Sequence, residues 1–292
     1  MAVKQSTPAG RVFDAVNILV LVALAVVMIL PFIYVMAGSF ARESELTERA
    51  FFLWPREFVT HSYDYIFATN TFLRSLVITV LVTAVGMGIQ VLLTFTMAYP
   101  LSRRYLPGRS LFLGLVVFTL VFTGGLIPTY LIVRELGLLD SYWSLILPLA
   151  INPFFLIIVK NFFQELPDEL QEAAQIDGCS ELGVFWRIVL PLSKPILATM
   201  GLFYAVAIWN DFQSPLLYID DASKWTLQMF VRQVTVSSDM ANTVGQLDPN
   251  YEPPEQGLKF TVIVIATLPI LLLYPFLQKH FVKGILIGSV KG

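Results

Sequence analysis

Six stretches of about 20 mostly apolar residues run through this chain of 292 residues and decide what it can fold into. A helix of that length crosses the apolar part of a bilayer because it satisfies its backbone hydrogen bonds internally. Only 14% of the residues are charged, against about 25% in soluble globular domains. The sequence therefore predicts an all-α integral membrane protein with a single transmembrane domain, residues 1–292. Its predicted spans are residues 16–37, 75–99, 110–133, 142–163, 196–219 and 260–281.

The basic residues indicate which side of the membrane holds the chain ends. Six spans place both termini on one side, and that side carries 11 of the 19 Lys and Arg residues. The short loop 103–109 contains three arginines and no acidic residue, and basic residues in short loops favour the cytoplasm. We therefore expect both termini in the cytoplasm, together with the segment 164–195 and the tail 282–292. The loop 220–259 is then expected outside.

The cytoplasmic segment carries the signals of two short helices separated by a turn. Gly178 supplies a left-handed stop, Ser180 caps the second helix, and Pro191 is expected to end it. A docking surface is predicted along one face of the first helix, at Leu170, Ala173, Ala174 and Asp177. The alternatives are a helical loop without a partner and a DNA-binding helix-turn-helix. The six acidic residues of the segment would repel phosphate, which argues against nucleic acid.

An ionisable residue in the fifth predicted span marks a candidate substrate pathway. Asp211 follows Asn210 in an apolar run, and a carboxylate at membrane depth usually faces a bundle interior or a watery cavity. Tyr204 and Trp209 are close in sequence, and aromatic rings together with polar groups bind sugars. Asn152, at a helix-breaking proline in the fourth span, joins these candidates. The alternative is that Asp211 lies near the outer end of its helix and only caps or pairs.

No catalytic or nucleotide-binding motif is found. The sequence has no Gly-x-x-x-x-Gly-Lys-Ser/Thr and no His-Glu-x-x-His, and its two histidines, His61 and His280, lie far apart. The single Cys179 excludes an intrachain disulfide. We therefore expect no enzymatic activity, no metal and no cofactor bound by this chain. A stand-alone secondary transporter is the alternative to an ATP-driven one, but it would require paired buried ionisable groups, for which Asp211 is the one candidate.

The cytoplasmic segment also resembles a known family. The stretch 172–178, E-A-A-x-x-D-G, followed by Phe185, Pro191 and Pro195, resembles the EAA loop of binding-protein-dependent ABC importer permeases. Cys179 stands where that family usually has alanine. Nearly the whole chain is similar to the second permease subunit of carbohydrate importers of the maltose-permease type. Three stretches resemble permeases for complex oligosaccharides, among them the alginate-oligosaccharide importers: residues 122–130, 209–212 and 283–292.

The resemblance implies a subunit that forms half of an oligosaccharide pathway in the bacterial cytoplasmic (inner) membrane. It implies a second homologous permease, two ATP-binding subunits that hold ATP and Mg, an extracytoplasmic solute-binding protein and surrounding lipid. The residues that would dock on an ATP-binding subunit are Glu172, Ala173, Ala174, Asp177 and Gly178. The tail residues that would reach the ATP-binding subunits are Lys283, Gly284, Gly288 and Lys291. The outer-loop residues that would contact the solute-binding protein are Asn242, Asp248, Asn250 and Tyr251.

Overall fold

The computed structural model describes residues 8–167, 169–236 and 255–288, with side chains for residues 10–167, 169–236 and 256–272. These residues form helices and short connections and contain no strand, which confirms the all-α prediction for them. The helices are α1 (Pro8–Ser39), α2 (Glu43–Glu48), α3 (His61–Ala68), α4 (Asn70–Ser102), α5 (Arg109–Val121), α6 (Leu126–Glu135), α7 (Trp143–Ile146), α8 (Pro153–Glu165), α9 (Glu169–Ile176), α10 (Glu181–Val184), α11 (Leu190–Leu192), α12 (Lys194–Trp209), α13 (Gln213–Tyr218), α14 (Leu227–Val236) and α15 (Glu255–Gly288).

The chain divides into two compact units. The first unit comprises residues 1–70 and 233–267, and the second comprises residues 71–232 and 268–292. In the first unit, α1 is apolar on all sides and its most apolar window contains no buried residue. A helix that is apolar all round and unburied has the surface expected of a helix in lipid.

The carboxylate of Glu43 fixes the start of α15 within the first unit. Its two oxygens accept hydrogen bonds from the backbone N–H groups of Gln256 and Gly257, each at 3.1 Å. These N–H groups have no partner inside the helix, and the helix dipole favours a negative charge at that end. A Cβ atom at Gly257 would lie 3.0 Å from Ser62 Oγ, so a larger residue would require a small shift of Ser62.

In the second unit, α4 is one continuous helix whereas its neighbours are bent in pairs. The axes of α5 and α6 meet at 113°, those of the α7 stretch Trp143–Leu149 and α8 at 55°, and those of the stretch Glu181–Leu192 and α12 at 82°. Among the described residues, α1 and α4 are each long and apolar enough to cross a membrane, and up to five spans result if each bent pair is one span. The predicted count of six spans stays a prediction.

The residues of the predicted fifth span, 196–219, form two helices, because α12 ends at Trp209 and α13 begins at Gln213. One sequence-based expectation about a helix end was wrong, since the second helix of the segment 164–195 continues past Pro191 to Leu192. A π turn at Phe185–Val189 precedes the proline and widens the helix where a regular turn would press the ring against a carbonyl.

Removing the cap at Glu43 is expected to destabilise the protein. The variant Glu43→Ala leaves the first N–H groups of α15 without their carboxylate, and loss of a helix cap costs about 1 kcal/mol. Glu48→Ala is the matched control, since Glu48 forms an exposed ion pair with Arg56 at 3.6 Å, and such pairs contribute about 0–1 kcal/mol. Thermal unfolding in detergent measures both variants, and equal midpoints would contradict the capping role of Glu43.

Candidate functional site

A cavity of about 650 Å³ lies in the second unit. Its wall is formed by α4, by the connection between α5 and α6, by the break before α8, and by α12 and α13. The lining is mainly apolar, and Asp211 is its one charged side chain among the described residues. The lining residues with polar side chains are Gln90, Thr123, Thr129, Asn152, Tyr204, Asn210, Asp211, Gln213, Ser214 and Tyr218.

Side chains of the cavity wall satisfy the backbone groups released by the break before α8. Gln90 Nε2 donates to the carbonyl of Leu149 at 3.0 Å, at the end of the preceding helical stretch. Asn152 Oδ1 accepts from the backbone N–H groups of Phe154 and Phe155, at 2.9 and 3.2 Å, and so caps α8. An interrupted helix is tolerated at membrane depth when its freed groups find such partners.

Tyr204 holds the wall from the side of α12. Its side chain is 2% exposed, and its hydroxyl lies 2.6 Å from the hydroxyl of Thr94 on α4. The same oxygen accepts a long hydrogen bond of 3.4 Å from the backbone N–H of Asn152. Both hydrogen bonds of the Tyr204 hydroxyl are therefore made within the protein around the cavity. The Tyr204 ring packs edge-on against the Phe155 ring, with centroids 5.1 Å apart.

Asp211 caps a helix and also lines the cavity. Its Oδ1 accepts from the backbone N–H groups of Gln213 and Ser214, at 2.9 and 3.0 Å, at the start of α13. The side chain is half-buried and lines the cavity. The neighbouring Asn210 donates from Nδ2 to the carbonyl of Val206 at 2.9 Å, which closes the end of α12.

The cavity brings together four of the five predicted pathway residues: Asn152, Tyr204, Asn210 and Asp211. Trp209 is buried and does not line the cavity. Sequence reasoning missed Gln90, which is 3% exposed and contacts the break directly. Its one signal was a primary amide in the middle of an apolar span.

The segment 164–195 forms the predicted turn between two helices. Gly178 has φ of +80°, the left-handed conformation expected after the first helix, and Ser180 Oγ accepts from the backbone N–H of Gly183 at 3.3 Å. The predicted docking residues on α9 do not share one environment, because Ala174 is half-buried against the core. The exposed members of the predicted set are Leu170, Glu172, Ala173, Asp177 and Gly178.

Several predicted contact residues lie beyond what the structure describes. The helix α15 includes the predicted tail residues Lys283, Gly284 and Gly288. The fourth predicted tail residue, Lys291, is outside the described residues. The predicted binding-protein contacts also lie outside them: Asn242, Asp248, Asn250 and Tyr251. Within the described part of the chain, no group of three or more His, Cys, Asp or Glu side chains is placed to hold a metal ion.

Comparison with known proteins supplies the context for this geometry. The sequence profile of the family described as "Binding-protein-dependent transport system inner membrane component" matches residues 2–287. Protein LplC of Bacillus subtilis (strain 168) is 62% identical over 287 residues, which cover 98% of this chain and 97% of that protein. The polygalacturonan/rhamnogalacturonan transport system permease protein YtcP of the same strain is 51% identical over 284 residues, 97% of this chain and 99% of that protein.

A solved structure is similar over the same length. The crystal structure of a bacterial ABC transporter involved in the import of the acidic polysaccharide alginate contains a chain that superposes with a TM-score of 0.87 and 28% sequence identity. The match covers 94% of this chain and 98% of that chain. The fold described above is therefore similar to that of a chain in a known ABC transporter.

Two substitutions separate the cap at Asp211 from its charge. Asp211→Asn keeps an oxygen that can accept from Gln213 and Ser214, whereas Asp211→Ala removes cap and charge together. We expect Asp211→Ala to lower the free energy of unfolding by about 1 kcal/mol and Asp211→Asn to leave it nearly unchanged. Thermal unfolding decides, and equal losses in both variants would contradict the capping role. A transport defect in Asp211→Asn would assign a separate role to the charge.

The pair Tyr204 and Thr94 provides a double-mutant cycle. Tyr204→Phe leaves the hydroxyl of Thr94, which is 0% exposed, without its partner, and an unsatisfied buried group costs about 1–3 kcal/mol. Thr94→Val removes the same hydrogen bond from the other side, so that the Tyr204 hydroxyl loses Thr94 as its partner. We expect the double variant to lose less stability than the sum of the two single variants, since no orphaned hydroxyl remains. Additive losses in thermal unfolding would contradict a direct hydrogen bond.

Proposed function

Because the chain belongs to the family of binding-protein-dependent transport system inner membrane components, we propose that it is the permease subunit of an ATP-driven ABC importer. In this role it forms half of the pathway by which oligosaccharides, delivered by a solute-binding protein, cross the bacterial cytoplasmic membrane. The chain itself is not an enzyme, and ATP and Mg bind to separate subunits.

The cavity at the helix breaks carries the proposal. Its volume of about 650 Å³ lies in the range of pockets that hold small molecules, about 300–1,000 Å³. Its wall offers amides, hydroxyls and aromatic rings, which can hydrogen-bond sugar hydroxyls and stack on the apolar faces of sugar rings. These groups are neutral apart from Asp211, so this wall suits hydroxyl-bearing rather than anionic parts of a ligand.

The names of the similar proteins support oligosaccharides as the substrate class. YtcP is named for polygalacturonan and rhamnogalacturonan, and the solved transporter imports the acidic polysaccharide alginate.

Coupling to ATP hydrolysis is proposed to run through α9. Glu172, Ala173, Asp177 and Gly178 are exposed there, and Glu172 makes no hydrogen bond or ion pair within the described part of the chain. The carboxylate can thus accept a hydrogen bond or ion pair from an ATP-binding subunit. Closure of the two ATP-binding subunits would then move this helix and its counterpart in the second permease, and the bundle would switch between inward-open and outward-open states.

The proposed arrangement in the membrane follows the basic residues. Both termini and the segment 164–195 lie in the cytoplasm, with six spans in total. The tail 282–292 reaches toward the ATP-binding subunits, and the loop 220–259 faces the solute-binding protein.

Purification of the intact complex tests the proposed function. The tagged chain is isolated from its native membrane in mild detergent, and we expect an ATP-binding subunit and a second permease to accompany it in constant proportion. Vesicles reconstituted with this complex and the binding protein should import oligosaccharide only when ATP is present. Recovery of this chain alone, in a form that transports without ATP, would overturn the proposal in favour of a secondary transporter.

Two neighbouring carboxylates test the docking role of α9. Glu172→Ala should reduce uptake by about ten-fold, corresponding to about 1.4 kcal/mol of lost interaction, and weaken retention of the ATP-binding subunit. Glu169→Ala is the matched control, since Glu169 is also an exposed carboxylate of α9. Uptake and co-purification are measured for both variants in the same membranes. Equal behaviour of the two variants would contradict docking through Glu172.

A further inference from the structure

One carboxylate joins three separate elements at the cytoplasmic end of the second unit. Glu181 Oε2 accepts a hydrogen bond from the hydroxyl of Tyr99 at 3.0 Å. Glu181 Oε1 accepts one from the hydroxyl of Tyr105 at 2.8 Å and one from Gln175 Nε2 at 2.8 Å. Tyr99 belongs to α4, Tyr105 to the loop that follows it, and Gln175 to α9. Glu181 itself begins α10, after the turn at Gly178.

The donors suit an ionised acceptor. Hydrogen bonds to a carboxylate are shorter and roughly twice as strong as those between neutral groups. Burial, and then the hydrogen bond to Glu181, raise the pKa of the Tyr105 phenol above its ordinary value. A tyrosine phenol is protonated at neutral pH, so Tyr105 can donate this hydrogen bond.

The residues on the two sides of Glu181 differ in how much of their surface is buried. The residues after Glu181 are anchored in the core: Val184, Phe185 and Val189 are at most 3% exposed, and the Phe185 ring lies 5.0 Å from that of Tyr99. The α9 side is mostly exposed, with Ile176 at 86%. Ala174 and Cys179 make its apolar contacts with the core. Gln171 is also buried, and the hydrogen bond between Gln175 and Glu181 adds a polar link between α9 and α10.

Beyond the junction, α4 leads directly to the cavity. Tyr99 and Gln90 lie on the same continuous helix, about 13 Å apart along its axis. Gln90 holds the carbonyl of Leu149 at the break in the cavity wall. A displacement of the inner end of α4 would therefore reach the cavity without crossing a flexible connection.

We propose that Glu181 is a positioning residue that fixes α9 to the inner end of α4, so that movement of the docked α9 is transmitted to the cavity wall. This inference rests on the proposed function, in which α9 docks on an ATP-binding subunit. Glu181 does not itself contact the ATP-binding subunit or the sugar in this scheme. Its loss should therefore affect the coupling between hydrolysis and transport rather than either partner reaction.

The test measures imported oligosaccharide and hydrolysed ATP in the same vesicles, which contain the whole complex and the binding protein. Glu181→Ala should retain assembly and binding-protein-stimulated hydrolysis within about two-fold, while the sugar imported per ATP falls about ten-fold. Glu165→Ala, an exposed carboxylate at the end of α8, is the matched control and should behave as the unmodified complex. Glu181→Gln keeps an oxygen acceptor and should restore part of the ratio.

Tyrosine variants make the test independent of how well Glu181→Ala folds. Tyr99→Phe combined with Tyr105→Phe removes two of the three donors with almost no change in shape, and it should lower the import ratio in the same direction. Combined with Glu181→Ala, these changes should add nothing further, because the hydrogen bonds are already lost. An unchanged ratio in the double tyrosine variant, or additive losses, would overturn the inference.

The proposed function and this inference fail in different ways. If the unmodified complex imports without ATP, or no ATP-binding subunit accompanies the chain, the proposed function falls and the inference falls with it. If the unmodified complex couples transport to hydrolysis and the Glu181 and tyrosine variants do so equally well, only the inference about Glu181 falls. A parallel loss of hydrolysis and import in Glu181→Ala would also overturn it, since that pattern indicates a role in assembly alone.

Discussion

The need to satisfy backbone polar groups without water governs the second unit. An apolar helix that breaks inside a membrane exposes carbonyl and N–H groups, and each unsatisfied group costs several kcal/mol. At the break before α8, Gln90 and Asn152 supply the missing partners from side chains. At the start of α13, Asp211 accepts from two backbone N–H groups in the same way. Three polar residues of the cavity wall thus stabilise its broken helices.

This double use of polar side chains limits what each one can offer a ligand. The Tyr204 hydroxyl is engaged with Thr94, and Oδ1 of Asp211 with two backbone N–H groups. Substitutions at these positions therefore change the wall and any ligand contact at once. Variants that keep the structural hydrogen bond while changing charge or shape are the informative ones, which is why Asp211→Asn carries more information than Asp211→Ala.

Local sequence signals predicted where helices turn or break, but they did not predict the distant side-chain contacts around those breaks. The turn at Gly178, the cap at Ser180 and the break at Asn152 follow from backbone chemistry within a few residues, and the structure has all three. The prediction that Pro191 ends its helix was wrong because a π turn of five residues accommodates the proline. No single residue in the sequence indicates such a turn. Gln90 and Glu181 escaped notice for another reason. Their partners lie 59 and up to 82 residues away, and one sequence contains no record of such distant contacts.

The distribution of bends suggests how a displacement can travel through the second unit. Three neighbouring helix pairs bend by 55° to 113°, whereas α4 runs unbroken for 33 residues, about 50 Å. A bend absorbs motion by changing a few backbone angles, and a continuous helix transmits it as a rod. The helix α4 contacts Glu181 through Tyr99 and the cavity wall through Gln90. At Gly86, where an added Cβ would lie 2.8 Å from Ile208 Cδ1, it also packs closely against α12. The continuous helix α4 therefore contacts its bent neighbours both at Glu181 and at the cavity wall. These are the two ends of the path that the proposed function requires.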